Sequence, residues 1–101
     1  MATFVMLTSL TANGVKTLKD NPSRVQEVNR EVEQLGLKVL HQYATLGPYD
    51  FVSIVEAPDN ETMAKASVEL GSRGTLDITT YPAMTATVFA EMLQNKALSE
   101  S

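Results

Sequence analysis

The sequence predicts an α+β domain, and three observations predict it. Segments rich in β-formers alternate with segments whose apolar residues recur at three- and four-residue spacing. Gly and Pro stand at the joints: Asn21-Pro22, Gly36, Gly47-Pro48, Pro58, Gly71 and Gly74. The resulting order is β-α-β-β-α-β with a further C-terminal helix. That is the ferredoxin-like arrangement, an antiparallel sheet with two helices on one face and the first and third strands in its centre. Residues 1–93 read as a single domain and 94–101 as a frayed tail.

The elements follow in order. Residues 3–10, TFVMLTSL, form a strand with apolar residues in both alternate sets, so it is expected to be central and covered on both sides. Thr11 caps a short helical turn containing Val15 and Leu18. Pro22 suits the first position of a new helix, whose Val25, Val28, Val32 and Leu35 make one stripe and which Gly36 ends. Glu27, Glu31 and Glu33 belong to its solvated face. Strands over 37–46 and 49–57 are joined at Gly47-Pro48. Asp59 caps a helix carrying Met63, Ala66, Ser67 and Leu70. A fourth strand over 75–81 precedes Pro82, which lacks an amide donor and places it at a sheet edge. Thr85 caps the last helix, with Val88, Phe89, Met92 and Leu93. Met6, Met63, Met84 and Met92 are expected as core filling.

Composition removes several classes of function. The chain has 101 residues, enough for one domain with a thin core. It has no cysteine, which excludes disulfides and thiolate chemistry. Its net charge is −4 and its eight basic residues are scattered, so neither nucleic acid nor an anionic membrane is expected as partner. No apolar run approaches the ~20 residues that span a bilayer. The N-terminus lacks a basic, cleavable leader, and the cytoplasm is the expected location. No cofactor and no metal are expected, because His41 is the single histidine and no carboxylates stand at ligand spacing.

The central hairpin assigns faces. A loop with an even number of residues puts even-numbered positions of the second strand with odd-numbered positions of the third; only an odd loop or a bulge reverses this. One face then carries Leu40, Ala44, Leu46, Phe51 and Val55, the natural helix-covered core. The other carries Leu37, Val39, His41, Tyr43, Thr45, Asp50, Val52, Ile54 and Glu56. That second set is too apolar for water, and two helices cannot cover both faces. The C-terminal helix could cover part of it; the simpler cover is a second copy of the chain, giving a dimeric α+β barrel.

Three segments in order carry a family resemblance: FVMLTSLTANGVKTLKDNPSRV, LGPYDFVSIVEAPD and ELGSRGTLDITTYPAM. With Gly47, Tyr49 and Asp50 as a Gly-x-Tyr-Asp signature, the chain resembles the GYD-domain family of small bacterial and archaeal proteins, over roughly residues 3–90. The resemblance implies the dimeric α+β barrel and supplies no reaction. A similar hairpin occurs in the effector-binding domains of the Lrp/AsnC regulators, which bind small molecules near subunit interfaces. This chain has no helix-turn-helix and matches only that sensing half.

Candidate chemistry is sparse. His41 is either a general base or ligand-gripping group, since imidazole titrates near neutrality, or an interface residue with a satisfied hydrogen bond. Tyr43 lies beside it. Asp50 either accepts backbone amides of the loop or orients a ligand. Gly47, Pro48 and Tyr49 build the turn. Tyr81, on one face with Thr79 and Asp77, lines a pocket or an oligomer contact. Arg73 either meets an anion or forms a salt bridge. His41, Tyr43, Asp50 and Tyr81 are therefore the ligand-binding candidates, for a small apolar or aromatic molecule. Two functions remain. One is a non-catalytic homo-oligomeric module that binds a small molecule between sheet and helices or serves as an assembly or accessory subunit. The other is a cofactor-free barrel enzyme, monooxygenase- or isomerase-like, with His41 as acid/base and Tyr43 or Tyr81 positioning the substrate.

Overall fold

The computed structural model describes residues 1–95. Strands β1 (Ala2–Leu10), β2 (Lys38–Ala44), β3 (Phe51–Ala57) and β4 (Leu76–Ala83) form one antiparallel sheet in the order β2-β3-β1-β4. The first and third strands are central, as the ferredoxin-like order requires. Helices α1 (Ala12–Asp20) and α2 (Arg24–Gln34) occupy the first crossover, α3 (Asn60–Gly71) the second, and α4 (Ala86–Gln94) follows β4. Residues 96–101 of the expected tail lie outside the described residues. Among the described residues no helix is long and apolar enough to cross a membrane.

Local chemistry sets the boundaries. Thr11, Asp59 and Thr85 each accept a backbone amide three residues on, at 3.1, 2.7 and 3.1 Å. Pro22 is not the first helical residue. Arg24 and Val25 donate their amides to the carbonyls of Asn21 and Pro22, a tight turn that separates α1 from α2. Gly36 ends α2 at φ 100°, while Gly36 and Leu37 donate amides to Glu33 and Val32. This is a Schellman ending, and it drives the following apolar residue into the core. Pro82 lies within β4, on the sheet edge where its missing donor is tolerated.

Helices α1–α3 cover one face of the sheet. Phe4, Met6, Val55 and Ala57 rise from the strands to meet Val32, Leu37, Met63, Ala66 and Leu70, all buried. α1 comes close because Gly14 has no side chain: a Cβ there would stand 2.2 Å from the Thr75 carbonyl oxygen. The same carbonyl accepts the Thr11 amide at 3.0 Å.

The structure revises the face assignment in three places. The loop over 45–50 keeps the parity, since Ala44 pairs with Phe51. A bulge at Leu40, however, shifts the strand between Val39 and His41. Val39 therefore faces the helices opposite Val55, and Leu40 is an extra residue on the edge, exposed. Leu37 is core rather than open face, for the reason its helix ending gives. Leu46 sits fully exposed at the hairpin tip. α4 covers neither face. Its Val88, Phe89, Met92 and Leu93 are exposed, as is Met84, so Met84 and Met92 fill no core in the single chain. The radius of gyration, 15.9 Å, exceeds the ~13 Å of a compact chain of this length because α4 stands away from the body.

Candidate functional site

Strand register builds the open face as two rows. The first runs His41, Ile54, Val5, Tyr81; the second runs Tyr43, Val52, Leu7, Thr79. Each row has two aliphatic side chains at its centre and polar or aromatic groups at its ends. His41, Tyr43 and Tyr81 are exposed. His41 and Tyr81 occupy opposite edges, three strand spacings or roughly 14 Å apart. They do not converge within one chain. His41 and Tyr43 are neighbours, two residues apart on β2.

Asp50 stands elsewhere. Its Oδ2 accepts the Leu10 amide at 2.7 Å, and its own amide donates to the Thr8 carbonyl at 2.8 Å. Ser9 Oγ donates to the Pro48 carbonyl at 3.0 Å, and Thr45 Oγ1 to the Tyr49 carbonyl at 2.5 Å. The Gly47–Asp50 segment is thereby tied to the end of β1: the Asp50 carboxylate and amide bond to β1, while its carbonyl accepts the Thr45 amide at 2.8 Å within the loop.

The main concave volume, part open to solvent, lies on the other face. Between the sheet and α1, α2 and the end of α3 is a cavity of about 210 Å³. Val25, Val28 and Val32 of α2 form much of its roof. Phe51, Val55, Met6 and Ile78 form much of its floor.

A polar band crosses this apolar floor. Asn29 Nδ2 donates to Gln42 Oε1 at 2.9 Å, and Gln42 Nε2 donates to Ser53 Oγ at 3.2 Å. Gln42 and Ser53 are cross-strand partners, and Thr8 is diagonal to Ser53 on β1. Ser53 and Thr8 are both buried. At the rim, Arg24 reaches Glu27 at 3.1 Å and Glu31 at 3.3 Å. Arg73 pairs with Glu31 and lies 3.7 Å from Glu69. The Arg73 hydrogen bond, helped by both guanidinium charges, holds the Glu31 carboxyl below the usual glutamate range. Both rim arginines are thus engaged by carboxylates. Among the described residues, no three His, Asp or Glu side chains gather as a metal site would need.

Reading the sequence for titratable groups leads to His41, Tyr43, Asp50 and Tyr81 and misses the band. A signal was available: Thr8, Gln42 and Ser53 each place a polar group at a core-facing strand position, where alternation calls for an apolar one.

A family model described as the GYD domain matches residues 4–93. A protein of Thermus thermophilus named glutamine synthetase and cystathionine beta-lyase binding protein is 49% identical over 85 residues, covering 83% of this chain and 90% of that protein. The crystal structure of TTHA0845, also from Thermus thermophilus, aligns with a TM-score of 0.55 at 26% identity over 85% of this chain and 96% of that one. A dimeric ferredoxin-like protein from an uncultured marine organism aligns with a TM-score of 0.42 at 10% identity, over 85% of this chain and 95% of its own. The chain belongs to the GYD-domain family.

Proposed function

We propose that this GYD-family protein is a small, non-catalytic, protein-binding module. It pairs with a second copy of itself through the open face of its sheet and serves as an accessory subunit to an enzyme. The observation that carries the reading is the uncovered centre of that face, where Val5, Leu7, Val52 and Ile54 lie side by side. An apolar centre with a polar and aromatic rim is how an interface is built. Two such sheets packed ~10 Å apart cover each other's aliphatic rows. α4, apolar and free of the body, is available to extend the contact onto a partner. The likeness to the Thermus relative, named for binding glutamine synthetase and cystathionine beta-lyase, supports an enzyme as the second kind of partner.

Light scattering at micromolar concentration tests the pairing. A mass of twice 11.0 kDa is expected, and a monomeric mass removes the homodimer. Calorimetric titration into the glutamine synthetase and the cystathionine beta-lyase of the same host tests the accessory role, which fails if neither binds. The cofactor-free enzyme would need His41 in the wall of an enclosed apolar cavity. The cavity lies across the sheet from His41, so no observation favours that reading.

A further inference from the structure

The cavity between the sheet and α1–α3 has three properties that together describe an occupant. Its volume, about 210 Å³, exceeds the ~150 Å³ of an apolar cavity known to take up benzene, and so fits roughly eight to ten non-hydrogen atoms. Its walls are aliphatic and aromatic, and the arginines at its rim already face carboxylates, so it offers no unpaired charge. Its floor keeps hydrogen-bonding capacity that the protein does not use. Thr8, 7% exposed, has no side-chain partner among the described residues, and Ser53, 4% exposed, accepts from Gln42 with its own proton unspent. Among the described residues no fully buried side-chain polar atom lacks a partner, so the Thr8 hydroxyl is one that a molecule in the cavity it lines with Ser53 can reach.

We infer that this cavity is a ligand site for a neutral, compact aromatic or alicyclic molecule carrying one hydrogen-bonding group. The apolar body lies against α2, and the polar group meets the Thr8–Ser53 band. Charge decides against carboxylates and phosphates, because a buried anion here would find no free cation. Size decides against lipids and nucleotides. The site is on the opposite face from the proposed pairing surface and does not depend on it.

The chain has no tryptophan, so indole can serve as its own fluorescent reporter. Titrating protein into indole is expected to shift indole emission to shorter wavelength with saturation. Indene, which has the same shape without the N–H, should compete roughly three- to tenfold more weakly, the worth of one net hydrogen bond. Indole-3-carboxylate should not compete. Val28→Phe, which fills the roof, should abolish the shift while the circular dichroism of the fold is kept. Thr8→Val should weaken indole several-fold and leave indene unchanged; it decides the matter should Val28→Phe fail to fold. The inference is overturned by no shift up to millimolar protein, by an unaltered titration in a folded Val28→Phe, by equal binding of indole and indene, or by competition from the carboxylate. None of these readings requires the protein to bind an enzyme or itself.

Discussion

The two faces of one sheet differ in what they leave undone. The helix-covered face buries its side chains, yet retains a cavity floored by neutral polar groups. The open face collects the histidine and two of the three tyrosines, yet encloses nothing. Among the described residues, His41, Tyr43 and Tyr81 lie on the face away from the main cavity, and the arginines that line that cavity are paired with carboxylates. The two faces can therefore be tested separately, the open one for pairing and the covered one for the ligand proposed above.

The strongest way to break that comparison is a matched pair of substitutions. Leu70 is 2% exposed, and Leu70→Ala should lower stability by about 2–5 kcal/mol. Ile54→Lys, at the centre of the open face, should cost the isolated chain within about 1 kcal/mol while abolishing the dimer in light scattering. Thermal melts at dilution read the first effect and mass the second. Equal losses of stability would mean that the open face belongs to the core of the monomer.

A second test sharpens the helix side. Gly14→Ala drives a methyl group into the Thr75 carbonyl. The backbone there must yield, at a cost of about 1–3 kcal/mol. Denaturant melts would show it as a lower midpoint with an unchanged slope. A neutral outcome would mean that α1 is free to lift away, and that the cavity is wider than its present outline.

The hairpin tip stands between the faces and gives a third. Asp50→Ala removes the acceptor for the Leu10 amide and should cost about 1–3 kcal/mol. Asp50→Asn keeps an acceptor oxygen and should recover roughly half of that. If both variants fold as stably as the parent and only ligand or partner binding changes, Asp50 is a site residue rather than a tie.

Much of this is legible in the residues. Caps at Thr11, Asp59 and Thr85, the Gly36 ending and the edge proline each depend on one or two neighbours, so local chemistry suffices to place them. Loop parity also gives the side that His41, Tyr43 and Phe51 take. Alternation misplaces Val39 and Leu40 because one bulge reverses a strand, and a bulge on an edge leaves no mark in an alternating pattern. It misplaces Leu37 because the helix ending, not the strand, sets that residue's direction. Leu46 reads as core only if the strand is carried past Ala44. The cavity is invisible for a different reason. It lies between the layers and is lined by residues of β1–β4 and α1–α3 together, and volume left over between layers is not written in any single segment.

The smallest expected effect concerns the rim. Glu31 is held below its ordinary range by Arg73 first and Arg24 second, so the folded state resists its protonation. Its contribution to stability is therefore complete above the ordinary glutamate value and is lost as pH falls through the depressed one. With the carboxylate about a third exposed, solvent screening keeps that contribution below about 1 kcal/mol. Glu31→Gln should thus melt slightly below the parent at neutral pH. The two curves should converge on the acid side of the carboxylate range, and salt should narrow the gap. Divergence at low pH would contradict the assignment. Weaker indole binding by Glu31→Gln, with stability nearly unchanged, would show that the ion pairs hold the roof of the cavity in place rather than the fold.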